Sequence, residues 1–413
     1  MMTFMKNRKI IFILTVLLWG SLGNIASISA ETIGFVGDIM MHNTQLRRAW
    51  LGETAEGIDR GYDFHPAFEW FKHHLQAPDF TVGNLETTFG GPNSALVTNP
   101  TYAFREYQAY PTFTTPDSLA AALKDAGFDL VGTANNHCMD SNLEGAARTL
   151  DVLEQAGIPA AGTSKGGSPA PWRGKVGDIS LSILAWTASV NGIVSPRTME
   201  PINAFNALGT DDRLPEMLEE IRREAAGDQD FTVLMIHWGQ EYHTEPDRYQ
   251  RNLARLAIEA GADIIIGSHP HVLQPVERRI VPDSNGQGER EVFIAWSMGN
   301  FISSQRHGDS PREWVDGSMM LNLNLSRDQN GRARVASFDY IPLYVHWTQQ
   351  HIRVLAVSDA LSETGTDRYG LSAYDLERLR AFNTWVPQQM TRYLGSVPSR
   401  QTPTGWNVSL PRP

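Results

Sequence analysis

The sequence predicts an α/β fold whose first half rests on a parallel sheet. Three observations lead there. Short apolar runs alternate with helix-like stretches as far as Gly267. Five of those runs break off into clusters of Asp, Asn, Glu or His, the kind of residue that gathers beyond the carboxyl ends of strands. Helix stops and turn signals fall between the runs at the spacing such units need.

The elements follow in order. Thr32-Ile-Gly-Phe-Val-Gly37 is short and apolar, as a buried strand is. Phe64 to Leu75 has helical spacing, and Asp79-Phe-Thr-Val-Gly83 is a second strand. Gly90 to Pro116 is rich in Gly, Pro, Thr and Asn and is expected to be a long surface loop. Pro116 to Ala126 is a helix capped by Thr115 and stopped by Gly127. Phe128 to Val131 is a strand, and Ser141 with Glu144 forms a capping-box pattern that opens a helix to about Ala156. Trp172 to Trp186 is expected to be a hairpin turning at Gly177-Asp178. Helix Leu214–Ala226, strand Phe231–Ile236, helix Pro246–Ala260 and strand Asp263–Gly267 then repeat the alternation. The second half is richer in strands: Glu291–Ser297, Ser318–Ser326 and, after an Asn330-Gly331 turn, Arg332–Tyr340. The domain reading is a principal domain over 31–345 and a polar extension over 346–413 with one helix near Ser372–Leu394.

Composition narrows the function. The chain has 413 residues, 41% hydrophobic and 20% charged, enough for a large globular core. Its net charge of −11 excludes a general nucleic-acid binder, which needs a basic face to neutralise phosphates. A single cysteine, Cys138, excludes an intrachain disulfide framework and is taken as a small buried thiol. Lys6, Arg8 and Lys9 precede an uncharged run from Ile10 to Ala30 that ends in Ser-Ile-Ser-Ala. Residues 1–30 therefore have the order of a secretory signal, with an uncleaved membrane anchor as the alternative. The expected location is exported, in the periplasm or outside the cell.

The five strand-end segments are Gly37-Asp38, Gly83-Asn-Leu-Glu86, Ala134-Asn-Asn-His137, His237-Trp-Gly-Gln-Glu241 and Gly267-Ser-His-Pro-His271. Carboxylate, amide oxygen and imidazole suit Mn, Fe, Zn or Mg. His269 and His271 are spaced to leave one face of an extended segment stiffened by Pro270. Each segment has a plainer reading as well. Asp38 can cap a turn, and Asn135 and Asn136 can satisfy loop backbone. Asp140 is read as capping the helix that Ser141 opens. Arg105, in the long loop, is offered as a holder of a substrate carboxylate, against the reading of a surface arginine.

The ordered set GDIM, GNLE, ANNHCMD, HWGQEY, GSHPHVLQPVE and SMGNF, from about Ile33 to Phe301, resembles the bacterial capsule-synthesis CapA family associated with poly-γ-glutamate production. That family's domain is similar to the calcineurin-like metallophosphoesterases. The resemblance implies a β-sandwich flanked by helices in α/β/β/α layers, and one or two divalent metals. By motif, Asp38, Asn136, His237, His269 and His271 are the implied metal ligands, and His137 the catalytic residue near the substrate. Two positions depart from a phosphoesterase: Met40 stands where a histidine is expected and Asn84 where a bridging aspartate is expected, with Glu86 offered as the replacement. The expected activity is metal-dependent hydrolysis of an amide or ester bond in an anionic, polyglutamate-like substrate. Epimerisation of an amino-acid residue, or a non-enzymatic place in a membrane capsule-synthesis complex, stays open beside it.

Overall fold

The computed structural model describes residues 31–52, 61–193, 200–206, 213–283, 288–308, 313–395 and 398–410. The N-terminal signal or anchor reading lies outside the described residues. Among them, no helix is long and apolar enough to cross a membrane.

Two sheets carry the fold. The larger runs in the order β17 (Ser399–Gln401), β18 (Trp406–Ser409), β15 (Ala333–Trp347), β14 (Gly317–Arg327), β1 (Glu31–Ile39), β2 (Phe80–Leu85), β5 (Leu130–Gly132) and β6 (Ala160–Ala161). Strand β13 (Asn300–Ile302) joins β1, and β16 (Ile352–Ala356) joins β15. The smaller sheet runs β11 (Val276–Pro282), β12 (Glu289–Ala295), β10 (Ile264–Ser268), β9 (Phe231–His237), β8 (Ile179–Thr187) and β7 (Trp172–Val176). In each sheet the central strands are parallel, β1 to β2 to β5 in one and β8 to β9 to β10 to β12 in the other. Their burial on both faces explains their unbroken apolar runs.

Three apolar clusters set the layers. Ile33, Phe35 and Val82 of the larger sheet meet Ile183, Val233 and Ile264 of the smaller one in a shared core. The outer face of the larger sheet is covered by α1 (Asn43–Ala49), α2 (His65–Phe68), α3 (Lys72–Leu75), α4 (Ser118–Ala126) and α5 (Asn142–Gln155). The smaller sheet is covered by α6 (Leu214–Ala225) and α7 (Arg248–Ala260). This is the expected α/β/β/α sandwich.

The differences from expectation are local. Phe64 to Leu75 forms two short helices, α2 and α3, because the chain turns at Glu69–Phe71 to bury both Phe68 and Phe71. Ser141 stands at the N-cap of α5 but makes no cap; its hydroxyl meets Thr88 Oγ1 at 2.8 Å, and Asn142 Oδ1 accepts from the Glu144 amide instead. A capping box does form at α7, from Asp247 and Gln250. The long loop holds a two-stranded hairpin, β3 (Ala103–Phe104) with β4 (Tyr107–Gln108). Strand β15 runs through residue 345, and the chain beyond it adds β16, β17 and β18 to the same sheet. That chain also forms α8 (Val357–Ala360), α9 (Gly365–Tyr369) and α10 (Ala373–Thr391). Helix α10 sends Leu379, Phe382, Val386 and Met390 into the shared core.

Candidate metal centre

The strand-end segments meet at one edge of the sandwich, and their side chains interlock. Asp38 is the next-to-last residue of β1, fully buried. Its position depends on a close backbone approach. Gly37 has no side chain, and a Cβ there would lie 1.8 Å from the Gly299 carbonyl oxygen. The Asp38 amide donates to that same oxygen at 2.9 Å, which draws β13 alongside and sets Asn300 opposite Asp38.

One carboxylate oxygen of Asp38 accepts from Asn84 Nδ2 at 2.7 Å; the other lies 3.1 Å from His271 Nδ1 and accepts the His269 amide at 3.4 Å. His271 Nδ1 also faces Asn300 Oδ1 at 3.0 Å. His237 ends β9. Its Nδ1 meets Ser268 Oγ at 2.9 Å, so its Nε2 is left to face Asn136 Oδ1 at 2.9 Å, His269 Nδ1 at 3.1 Å and Glu86 Oε1 at 3.5 Å.

His269 and His271 converge by a route other than the expected extended segment. Their φ angles are 96° and 58°, both left-handed, around a Pro270 whose carbonyl accepts from the Tyr242 amide at 2.8 Å. Residues with a Cβ enter that region only when the surroundings impose it. The tight turn aims His269 at His237 and His271 at Asp38.

Glu86 is the centre of the arrangement. It is completely buried, and among the described residues neither carboxylate oxygen has a hydrogen-bond partner. Buried, unsatisfied carboxylates are expensive. Glu86 belongs to two sets of ligand atoms, each within a 4.8 Å span: Glu86, His237 and His269, and Asp38, Glu86 and His271. Burial, then the charges of Asp38 and Glu241, push the Glu86 carboxyl well above its ordinary range. Burial, then the neighbouring imidazoles, push His237 well below its own and His269 down to about 4. These imidazoles are neutral and offer lone pairs, while Glu86 stands where a cation would relieve it. A divalent ion fits the donor set of Asp38, Glu86, Asn136, His237, His269 and His271.

His137 lies beside these sets. Its Nδ1 is 2.7 Å from Asp140 Oδ2, and its ring stands edge-on to Phe113, with centroids 4.6 Å apart. Asp140 also accepts from the Phe113 amide. Asp140 is therefore no helix cap: its carboxylate turns to the histidine three residues earlier and to the long loop, and Ser141 occupies the N-cap position. Asn135 fulfils the plainer reading, accepting from the His137 amide at 3.1 Å and donating to Leu85 O at 2.7 Å. Arg105 stands in the β3–β4 turn with its guanidinium 4.2 Å from the Trp50 ring centroid, outside both ligand sets. Cys138 is buried, and burial pushes its thiol up to about 12, which makes it a poor nucleophile. Asn84, Ser268 and Asn300 support the site without having been assigned roles from sequence. The signal for Asn84 and Asn300 was their place in the GNLE and SMGNF motifs; Ser268 gave none beyond its place before His269.

Sequence comparisons with known proteins agree on one family. The chain is 29% identical over 314 residues to the PGA biosynthesis protein CapA of Bacillus subtilis (strain 168), covering 74% of this chain and 70% of that protein. It is 26% identical over 277 residues to the capsule biosynthesis protein CapA of Bacillus anthracis, covering 66% of this chain and 60% of that protein. Among solved structures it is similar to the sulfate thiohydrolase SoxB of Thermus thermophilus, at 13% identity and a TM-score of 0.39 over 86% of this chain and 60% of that one. It is also similar to a 5'-nucleotidase of Candida albicans, at 9% identity and a TM-score of 0.40 over 88% of this chain and 57% of that one. The model of the bacterial capsule synthesis protein PGA_cap matches residues 32–305, from β1 to just past β13 and so across every residue of the ligand cluster, and the chain belongs to that family.

Proposed function

We propose that the chain is an exported, metal-dependent hydrolase of capsule biosynthesis that cuts an amide or ester bond in an acidic, polyglutamate-like chain. The observation that carries this is Glu86, buried without a partner between two sets of ligand atoms. Among the described residues no donor forms a hydrogen bond to either of its oxygens, and a divalent cation would supply the missing partner.

Asp38, Glu86, Asn136, His237, His269 and His271 would hold one or two such ions. When bound, they supply Lewis acidity toward a carbonyl oxygen and make water a usable nucleophile near neutral pH. The chain's own residues then do the rest. Asn84 fixes one Asp38 oxygen, and Ser268 fixes His237 Nδ1, so the ligand atoms are held in advance. Asp140 orients His137, whose second ring nitrogen is left to pass a proton to the leaving group. The Phe113 ring packs against His137 and limits its movement. The charged, apolar and small-residue order of residues 1–30 supports export. The names of the Bacillus relatives support capsule biosynthesis as the setting.

The test is metal analysis of the purified protein beside Glu86→Gln and His269→Ala, with turnover of a γ-linked glutamate oligomer. Wild type should carry stoichiometric metal and both variants much less. Absence of stoichiometric metal under every loading condition, or turnover untouched by His137→Ala, would sink the reading. Deuterium entering an α-carbon from heavy water without chain cleavage would move the chemistry to epimerisation.

A further inference from the structure

Two arginines with no acidic partner among the described residues stand at the same edge of the sandwich as the metal cluster. Arg48, on α1, and Arg306, four residues past β13, both lie against the Trp347 indole, their guanidinium carbons 4.9 and 4.8 Å from its ring centroid. Arg48 Nη1 and Trp347 Nε1 are both buried donors with no hydrogen-bond partner. Arg48 Nε donates to the Gln349 carbonyl at a long 3.4 Å. Among the described residues neither guanidinium makes an ion pair. Asp63 lines the small cavity beside Arg48, but it is engaged by His65 at 2.7 Å.

Topology puts this pair at the same edge as the candidate centre. Strands β1 and β15 are both antiparallel to β14, so they run the same way and Trp347 ends at the edge where Asp38 lies. Ile302 of β13 pairs with Ile39 of β1, which brings the chain leading to Arg306 to that edge too. A row of rings runs from the start of α1 to His137: His42 is 5.0 Å from Phe113, and Phe113 is 4.6 Å from His137. The His42 ring also receives the Ser304 amide at 3.4 Å, tying α1 to the Arg306 loop.

Two like charges on one indole repel, and a buried donor without an acceptor has lost its water without a replacement. Burial, then the charge of Arg306, lowers the Arg48 guanidinium from its ordinary value. An anion with two oxygens relieves both faults, since guanidinium groups present planar paired donors to carboxylates. The chain as a whole carries −11, so a long polyanion meets repulsion over most of the surface and attraction here. A site of two cations suits an isolated carboxylate better than a broad basic groove would.

We propose that Arg48, Arg306 and Trp347 Nε1 form a carboxylate subsite that holds one side group of an acidic, glutamate-type chain while a neighbouring bond of that chain lies at the metal cluster. This rests on the function proposed above. It names a specificity site that the cluster itself does not contain.

The test is fluorescence anisotropy of a labelled pentaglutamate peptide with the full chain, with metal content measured on each sample. Wild type should bind the peptide, and neutral pentaglutamine should not compete. Arg48→Gln/Arg306→Gln should bind about tenfold or more weakly, the scale of a lost charge-assisted hydrogen bond. Its metal content and thermal melt should match wild type. Arg47→Gln, an exposed neighbour on the same helix, should bind as wild type does. Failure of wild type to bind, or equal binding by the double variant at equal metal content, overturns the subsite. Inorganic phosphate displacing the peptide at lower concentration than free glutamate overturns its assignment to carboxylates. Loss of metal from the wild type alone would fail the hydrolase reading and leave the arginine result to be read by itself.

Discussion

Asp140 joins His137 to the long loop, its carboxylate 2.7 Å from His137 Nδ1 and accepting from the Phe113 amide. A carboxylate two residues before a helix has two good uses, capping the helix or serving a nearby base, and sequence does not rank them. Here a histidine three residues earlier and the Phe113 amide, brought in by the long loop, win. On the proposed function this makes Asp140 a positioning residue. Asp140→Asn should lower kcat for the glutamate oligomer by about a hundredfold while KM and metal content stay at wild-type values. A change confined to KM, or loss of metal, would contradict the role. The six residues named as ligands lie in the five segments that follow apolar runs, and the fold brings their side chains together. Asn84 and Asn300 were visible only as motif members. Their partners, Asp38 and His271, sit on other elements, 46 and 29 residues away in the chain. The left-handed turn at His269 and His271 had no signal either, since neither position is glycine.

At the scale of elements, the parallel strands were legible and the strands around them were less so. β9 and β10 read plainly because apolar side chains on both faces leave no alternation to confuse with a helix. β13 has three residues, too few for any period, and exists because Gly37 lets the Gly299 backbone come close. Gly37→Ala tests that dependence. A methyl group 1.8 Å from a carbonyl oxygen cannot be accommodated without moving β13. The substitution should destabilise the fold by at least about 3 kcal/mol, the upper range for overpacking, measured by chemical denaturation. It should also lower metal content, because Asn300 and His271 depend on that strand. A stable, fully loaded Gly37→Ala protein would show that the approach is incidental. Helix α10 offers a second test, from its capping box. Burial disfavours the Asp375 charge, yet hydrogen bonds from His346 and Ser372 outweigh it and hold the carboxyl well below the usual range. Asp375 therefore stabilises the fold above the unfolded carboxyl range, and that contribution is lost as pH falls through its low folded value. Asp375→Asn should cost about 1–2 kcal/mol at pH 7. The gap from wild type should narrow from about pH 4 downward.

For the molecule as a whole, the layered class was legible and the closure of the larger sheet was not. Polar composition after residue 345 suggested an appendage, yet β16 pairs with β15 on one edge, β18 pairs with it on the other part of its length, and α10 fills the shared core. The polar residues fall on the exposed faces of β16, β18 and α10, whose inner faces are apolar, and on β17, which is exposed throughout. Such a face is invisible when strands are three to five residues long, as β16, β17 and β18 are. Gln389 of α10 goes further and donates to the Leu273 carbonyl at 3.2 Å, two residues past His271. The end of the chain thus bears on the turn that presents the histidine pair.

The donors of the candidate centre come from both sheets: Asp38, Glu86 and Asn136 from the larger, His237, His269 and His271 from the smaller. A cation held by all of them would rivet one sheet to the other at a single edge, so that loading would register as slowed fluctuation there. Amide hydrogen exchange should therefore slow on metal addition in the last residues of β1, β9 and β10. The opposite ends of the same strands should exchange as before, making the protection a one-sided gradient along each strand.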